Sequence, residues 1–143
     1  MRLHFLVEGQ TEETFVRTVL APELGATAIY CDAHRVTTGR KGAKLYRGGL
    51  VSFAHLRRDL ELWMKQDRAA DAWFTTMIDL YKLPSDFPRL PESRRELDPY
   101  KKVEILEEGF STCIEDPRFI PYIQFNAWLN RLARVSQQPH QQG

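Results

Sequence analysis

Two acidic residues stand where short apolar runs stop, Glu8 after Leu3-His4-Phe5-Leu6-Val7 and Asp79 after Ala72-Trp73-Phe74-Thr75-Thr76-Met77-Ile78. If those runs are neighbouring strands of one sheet, the two carboxylates converge on one hard cation. Mg²⁺ suits such a place, because it is commonly held by one or two carboxylates together with water and substrate phosphate. Gly9 and Thr11 follow Glu8 directly and open a segment of helical spacing, so their backbone N–H groups are candidates for an anion such as a phosphate. The plain alternative is that an acidic side chain at a strand-to-turn junction is only solvated or capping.

The second chemical feature is charge order. From Ala33 to Arg58 the chain has no Asp or Glu but seven basic residues, Arg35, Arg40, Lys41, Lys44, Arg47, Arg57 and Arg58. A Gly-rich basic stretch of this kind can follow a nucleic-acid backbone, releasing counterions as it neutralises phosphates, and Arg40, Lys41, Lys44 and Arg47 are the candidate contacts. A solvated loop without a partner accounts for the same composition. The formal charge of the whole chain is only +1, from 20 Lys and Arg against 19 Asp and Glu. That sum conceals +7 in the basic stretch and −6 elsewhere, where 13 basic residues face 19 acidic ones. Near-neutrality therefore does not argue against a nucleic-acid partner.

Several chemistries are excluded by motif. Gly39-Arg40-Lys41-Gly42-Ala43-Lys44 lacks Walker A spacing, and there is no Gly-x-Gly-x-x-Gly fingerprint, no Gly-x-Ser-x-Gly elbow and no His-x-x-x-His pair. Cys31 and Cys113 lack a nearby second thiol or histidine, which argues against zinc and disulfides and for a reducing, cytoplasmic setting. The first apolar run is too short for a signal peptide or a membrane span, so no membrane partner is expected. His4 lies inside a strand and reads as structural, as do Trp63 and Trp73, while Glu104, Glu107, Glu108, Glu115 and Asp116 read as a solvated acidic face.

The elements that must position these groups follow from periodicity. Leu3–Val7, Thr27–Cys31, Ala72–Ile78 and Phe119–Ile123 read as strands. Helices are predicted after a Thr11 cap with Phe15, Val16, Val19 and Leu20 inward, after Ser52 with Phe53, Leu56, Leu60, Trp63 and Met64 inward, and after Asp98-Pro99 with Tyr100, Val103, Leu106, Phe110 and Ile114 inward. A loop carrying Gly39, Gly42, Gly48 and Gly49 and a Pro84, Pro88, Pro91 loop connect them. The β-α-β-α-β-α-β order predicts an α/β fold, a mainly parallel four-stranded sheet with helices on both faces and its ligand edge at the strand carboxyl ends. The 143 residues, 43% hydrophobic, suit one domain over 1–134 with a polar, disordered tail over 135–143.

Three segments carry a family resemblance: Val7-Glu8-Gly9-Gln10-Thr11-Glu12-Glu13-Thr14-Phe15-Val16, Thr75 through Pro88, and Asp116-Pro117-Arg118-Phe119-Ile120-Pro121-Tyr122-Ile123-Gln124. With them the chain resembles a family of small prokaryotic Toprim-like proteins of unknown function, often encoded beside an AAA-type ATPase. The resemblance runs from residue 1 to about Gln124 and implies the fold of topoisomerases, bacterial primases and overcoming-lysogenization-type nucleases. In those enzymes a Glu after the first strand and an Asp-x-Asp after a later one bind Mg²⁺. Glu8 matches the Glu and Asp79 the first Asp, whereas the second Asp falls at Tyr81. Family members continue beyond Gln124 with a His-Glu-Phe-Glu-like segment, so this chain is expected to be a short or C-terminally truncated member.

The leading expectation is a Mg²⁺-dependent nucleic-acid phosphodiesterase, with Mn²⁺ as a substitute, acting on a DNA or RNA backbone in a defence or repair module. Glu8 is the expected metal ligand or general acid/base, and Asp79 a metal ligand. The rival is a non-catalytic module that binds a partner ATPase or DNA, and a third reading is a small nucleotide-binding regulator.

Overall fold

A computed structural model describes residues 1–41, 44–47 and 52–125, with the side chains of 1–37 and 52–125. The polar tail expected over 135–143 lies outside the described residues. The chain runs β1 (Arg2–Val7), α1 (Gln10–Phe15), a π-helical stretch (Val16–Leu20), α2 (Ala21–Gly25), β2 (Tyr30–Arg35), β3 (Thr37–Lys41), β4 (Lys44–Arg47) and α3 (Phe53–Gln66). It continues through β5 (Ala72–Asp79), a 3-10 turn (Leu80–Lys82), α4 (Leu90–Ser93), α5 (Pro99–Cys113), β6 (Phe119–Ile120) and β7 (Ile123–Gln124). Among the described residues no helix is long and apolar enough to cross a membrane.

The architecture is the expected α/β one. The sheet has the order β2-β1-β5-β6 with β7 also on β5, and every pairing in it is parallel. Parallel strands need crossovers, and these place α1 through α2 on one face and α3, α4 and α5 on the other. On the first face Phe5, Val7, Ala33 and Met77 close over Val16. On the second, Leu6, Phe74 and Ile78 meet Leu56, Leu60, Leu106 and Phe110. Phe53 touches both Phe87 and Phe110 edge-on at ring distances of 5.2 and 5.3 Å, which brings the proline-containing segment into this core.

Two helix starts form as the sequence requires. Ser52 Oγ accepts from the His55 N–H, and Asp98 Oδ1 accepts from the Tyr100 N–H with Pro99 in the first turn. Four local features differ from expectation. The first helix is capped at Gly9, whose N–H donates to Glu12 Oε2, so Thr11 is an exposed helical residue and not the cap. The second strand is Tyr30–Arg35, not Thr27–Cys31, because Leu24 O accepts from the N–H groups of Thr27 and Ile29 and Ala28 takes φ 62° to turn the chain. The glycine-containing stretch forms the antiparallel pair β3–β4 in place of an open loop. The proline segment holds the short α4, entered through Arg89 at φ 59° and secured by ion pairs from Arg89 to Glu92 and Glu108 at 2.8 and 2.9 Å.

The last strand is split. Pro121 cannot donate to a ladder, and the Thr76 hydroxyl bridges the break by donating to Tyr122 O at 3.0 Å and accepting from Tyr122 N at 3.1 Å. Tyr100 and Glu107 also depart from their expected settings. Tyr100 is exposed, while Glu107 is half-buried and accepts from the Ile123 N–H at 2.9 Å.

His4 is a structural residue, as read from the sequence. It is 9% exposed, lies 4.7 Å from the Trp63 ring and 4.9 Å from Phe74, and its Nε2 is 2.8 Å from Asp67 Oδ2. Asp67 also takes both guanidinium nitrogens of Arg2, at 2.9 and 2.6 Å. Arg118 donates to the carbonyls of Met64, Asp67 and Ala69, satisfying the end of α3. Asp67→Ala therefore leaves His4 buried and unpaired, and we expect it to reduce unfolding free energy by about 2–3 kcal/mol in urea titration. A loss below about 0.5 kcal/mol, the ordinary size for an isolated surface pair, would contradict this role.

Candidate functional site

The candidate site is built by the register of β1 on β5. Val7 pairs with Met77, and the Glu8 N–H donates to Met77 O at 3.3 Å, so the chain beyond Val7 leaves the sheet beside the end of β5. Glu8 is 8% exposed, and its Oε2 accepts from the Asp79 backbone N–H at 3.3 Å. Side-chain alternation gives Glu8 the side of β1 that carries His4 and Leu6, and gives Asp79 the side of β5 that carries Thr75 and Met77. Consistent with that divergence, the Asp79 carboxylate turns onto the next turn and accepts from the Tyr81 N–H at 2.9 Å. The tie between the two acids is thus carboxylate to backbone.

Burial dominates the electrostatics. Removal from water raises the Glu8 pKa above its ordinary 4.5, opposed by the Asp79 N–H and then by Lys82, and reinforced by the charges of Glu12 and Asp79. Lys82 is the cation that the sequence reading missed. Its signal was the spacing, three residues past Asp79 at the end of the 3-10 turn. Tyr81, two residues past Asp79, is 74% exposed.

The phosphate-binding candidates divide. The Gly9 N–H is occupied by Glu12, and Thr11 is exposed in the first turn beside Glu8. Arg40 and Lys41 lie on β3, Lys44 and Arg47 on β4, with Arg40 paired to Leu45 and Lys41 to Lys44. Their side chains lie outside the described residues. The base of this hairpin is fixed, since Val36 is buried with its N–H on Val7 O at 2.9 Å and the Thr37 N–H donates to Asp59 at 2.6 Å. Because β2 is parallel to β1 and Arg35 pairs with Val7, the hairpin departs from the same sheet edge as Glu8 and Asp79.

A divalent cation fits this donor set only in a sparse form. Among the described residues no group of three or more His, Cys, Asp or Glu gathers at metal-binding distance. Glu8 and Asp79 each use one carboxylate oxygen on a backbone N–H and keep a second one. Two carboxylate oxygens suit Mg²⁺, which keeps most of its shell as water and substrate oxygen, and do not make a dedicated cage.

Among known proteins, a family model described as a domain of unknown function (DUF4276) matches residues 7–133. No curated protein and no solved structure matches the chain.

The buried acid has a measurable signature. Folded Glu8 keeps its proton to higher pH than the unfolded chain does, so the folded state binds more protons in that window and Glu8 subtracts stability as pH rises through it. Glu8→Gln keeps an oxygen acceptor for the Asp79 N–H and removes the charge. We expect its Tm to exceed that of the parent at pH 7, with the difference shrinking away below about pH 4, where Glu8 is protonated in the folded and the unfolded chain alike. An unchanged difference across that range would contradict the assignment of Glu8 as a buried acid.

Proposed function

Because the chain belongs to the DUF4276 family, a domain of unknown function, we propose its activity from the site itself: a Mg²⁺-dependent nucleic-acid phosphodiesterase. The observation that carries the reading is the convergence on one sheet edge of buried Glu8, adjacent Asp79 and the base of the basic hairpin. The resemblance to a Toprim-like family of unknown function, whose implied fold is also that of some nucleases, supports it and suggests work in a defence or repair module beside an AAA-type ATPase. Glu8 and Asp79 are the residues that would hold Mg²⁺ or Mn²⁺, which when bound would supply positive charge to a phosphodiester and acidify a water.

The protein's own groups have separate tasks in this reading. Glu8 keeps Oε2 on the Asp79 N–H, which leaves Oε1 either to hold the cation or, in its place, to move a proton. Asp79 orients through its capped turn, which holds its carboxylate in place. Arg40, Lys41, Lys44 and Arg47 follow the phosphate backbone, and their charge makes binding salt-dependent. A second reading, a non-catalytic module that binds DNA or a partner ATPase, draws support from exposed Tyr81, which stands where the resemblance implies a third carboxylate.

Incubation of the full chain with end-labelled single- and double-stranded DNA and RNA in Mg²⁺ or Mn²⁺ separates the two. The phosphodiesterase reading expects cleavage that falls at least about 100-fold in Glu8→Gln and in Asp79→Asn. Cleavage that survives both substitutions, or binding without any cleavage, would overturn it; the latter would establish the module. Under either reading Lys41→Glu with Lys44→Glu should weaken binding about uniformly across sequences and flatten its salt dependence by about two phosphate contacts in a filter-binding titration.

A further inference from the structure

The turn after β5 puts an aromatic ring and a cation beside the two acids. Leu80, Tyr81 and Lys82 form a single 3-10 turn between Asp79 and Leu83. In such a turn residues three apart eclipse one another, so Leu80 and Leu83 share a side, and both pack against the core on the α3 to α5 face. Tyr81 and Lys82, the two residues between them, are exposed, Tyr81 by 74%. The Tyr81 N–H donates to Asp79 Oδ1 at 2.9 Å, and two peptide units hold its Cα within about 7.6 Å of that of Asp79. Asp79 is in turn paired with Gln124 of β7. The ring therefore stands on a turn fixed at both ends, next to a residue that would hold the cation. Lys82, on the same turn, is near enough for its charge to favour the Glu8 carboxylate.

An exposed tyrosine is ordinary by itself, and place distinguishes this one. Tyr30 opens β2 opposite Arg2, at the far end of the strands, Tyr100 lies 4.7 Å from the Phe125 ring, and Tyr122 lies against the sheet face that carries Phe5 and Met77. Tyr81 follows the carboxyl end of β5, at the edge from which the basic hairpin also departs. A basic track for the backbone and an aromatic ring for a base are the two parts that single-strand sites combine.

We propose that Tyr81 is a stacking platform for an unpaired base and Lys82 a contact to its phosphate, so that this site takes single-stranded nucleic acid. The proposal rests on the phosphodiesterase reading of the same edge, whose two acids leave strandedness open. Every base has a π-face, so one ring serves any sequence. In a duplex those faces are covered by neighbouring bases, and a nucleotide could reach Tyr81 only by being flipped out of its pairing and stacking. A single strand presents its bases without that expense.

The test is filter binding of the full chain to one sequence offered as single-stranded DNA, single-stranded RNA and blunt duplex DNA, with Ca²⁺ in place of Mg²⁺ to keep a hard cation while suppressing cleavage. Tyr81→Ala should weaken binding to a single strand at least about fivefold and leave duplex binding within about twofold, and the DNA and RNA arms show which strand is preferred. Tyr81→Phe, which keeps the ring, should bind as the parent does. Tyr81→Ala retains the backbone N–H to Asp79 and changes an exposed side chain, so its Tm should stay at the parent value. Lys82→Gln should flatten the salt dependence by about one phosphate contact. A single strand carrying 5-iodouracil, irradiated in the complex, should crosslink to the peptide that holds Tyr81. Single-strand binding that survives Tyr81→Ala, an equal loss on duplex, a loss that Tyr81→Phe shares, or crosslinks confined to other peptides overturns the stacking role. In each of those cases cleavage that depends on Glu8 and Asp79 leaves the phosphodiesterase reading standing. A parent protein that binds none of the three oligonucleotides overturns both.

Discussion

The parallel pairing of β1 with β5 is the constraint on which the candidate site rests. Because Arg2 through Val7 lie in register with Ala72 through Met77, the chain leaves both strands at one edge, and Glu8 comes within hydrogen-bond distance of Asp79. An antiparallel arrangement of the same strands would separate the two acids by about a strand length, near 20 Å for six residues. The same edge receives β2, whose end at Arg35 launches the basic hairpin. Apolar burial on both faces fixes this register, since a slip of one residue would carry Leu6 and Phe5 to the wrong cores.

That constraint sets up an opposition between stability and chemistry. Glu8 sits where desolvation works against its charge, and the Asp79 N–H and Lys82 only partly offset it. A fold selected for stability alone would place an amide or an apolar residue there. Toward the other end of β1 the polar groups are mostly paired, although His4 Nδ1 is buried without a partner. Asp67 binds His4 and Arg2, and Arg118 closes the last carbonyls of α3. A buried acid whose charge is opposed by desolvation is the kind of group found at functional sites.

The sequence was readable where local chemistry and tertiary packing agree. Ser52 and Asp98-Pro99 start helices through their own side chains, and the runs ending at Glu8 and Asp79 are strands whose apolar residues reach the core. It was unreadable where a tertiary partner decides. β2 is an edge strand carrying Tyr30, Asp32 and His34, so its apolar alternation is faint, and a turn at Ala28 displaces its start. β3 and β4 are built largely of basic and glycine residues that carry little strand propensity. Gly9 displaced Thr11 as the cap because Glu12 folds back onto its N–H, and Glu107 left the acidic face because the Ile123 N–H needed an acceptor. At the site, Glu8 and Asp79 were identifiable by position, whereas Lys82 and the carboxylate-to-backbone tie required the register.

In the proposed function Glu8 and Asp79 hold one divalent cation whose remaining ligands are water and phosphate. Isothermal calorimetry of the full chain with MgCl₂, run beside Glu8→Gln, tests that most directly. The account predicts one bound Mg²⁺ per chain in the parent and none in the variant. Equal heats from the two proteins, or no saturable heat from the parent, would contradict it.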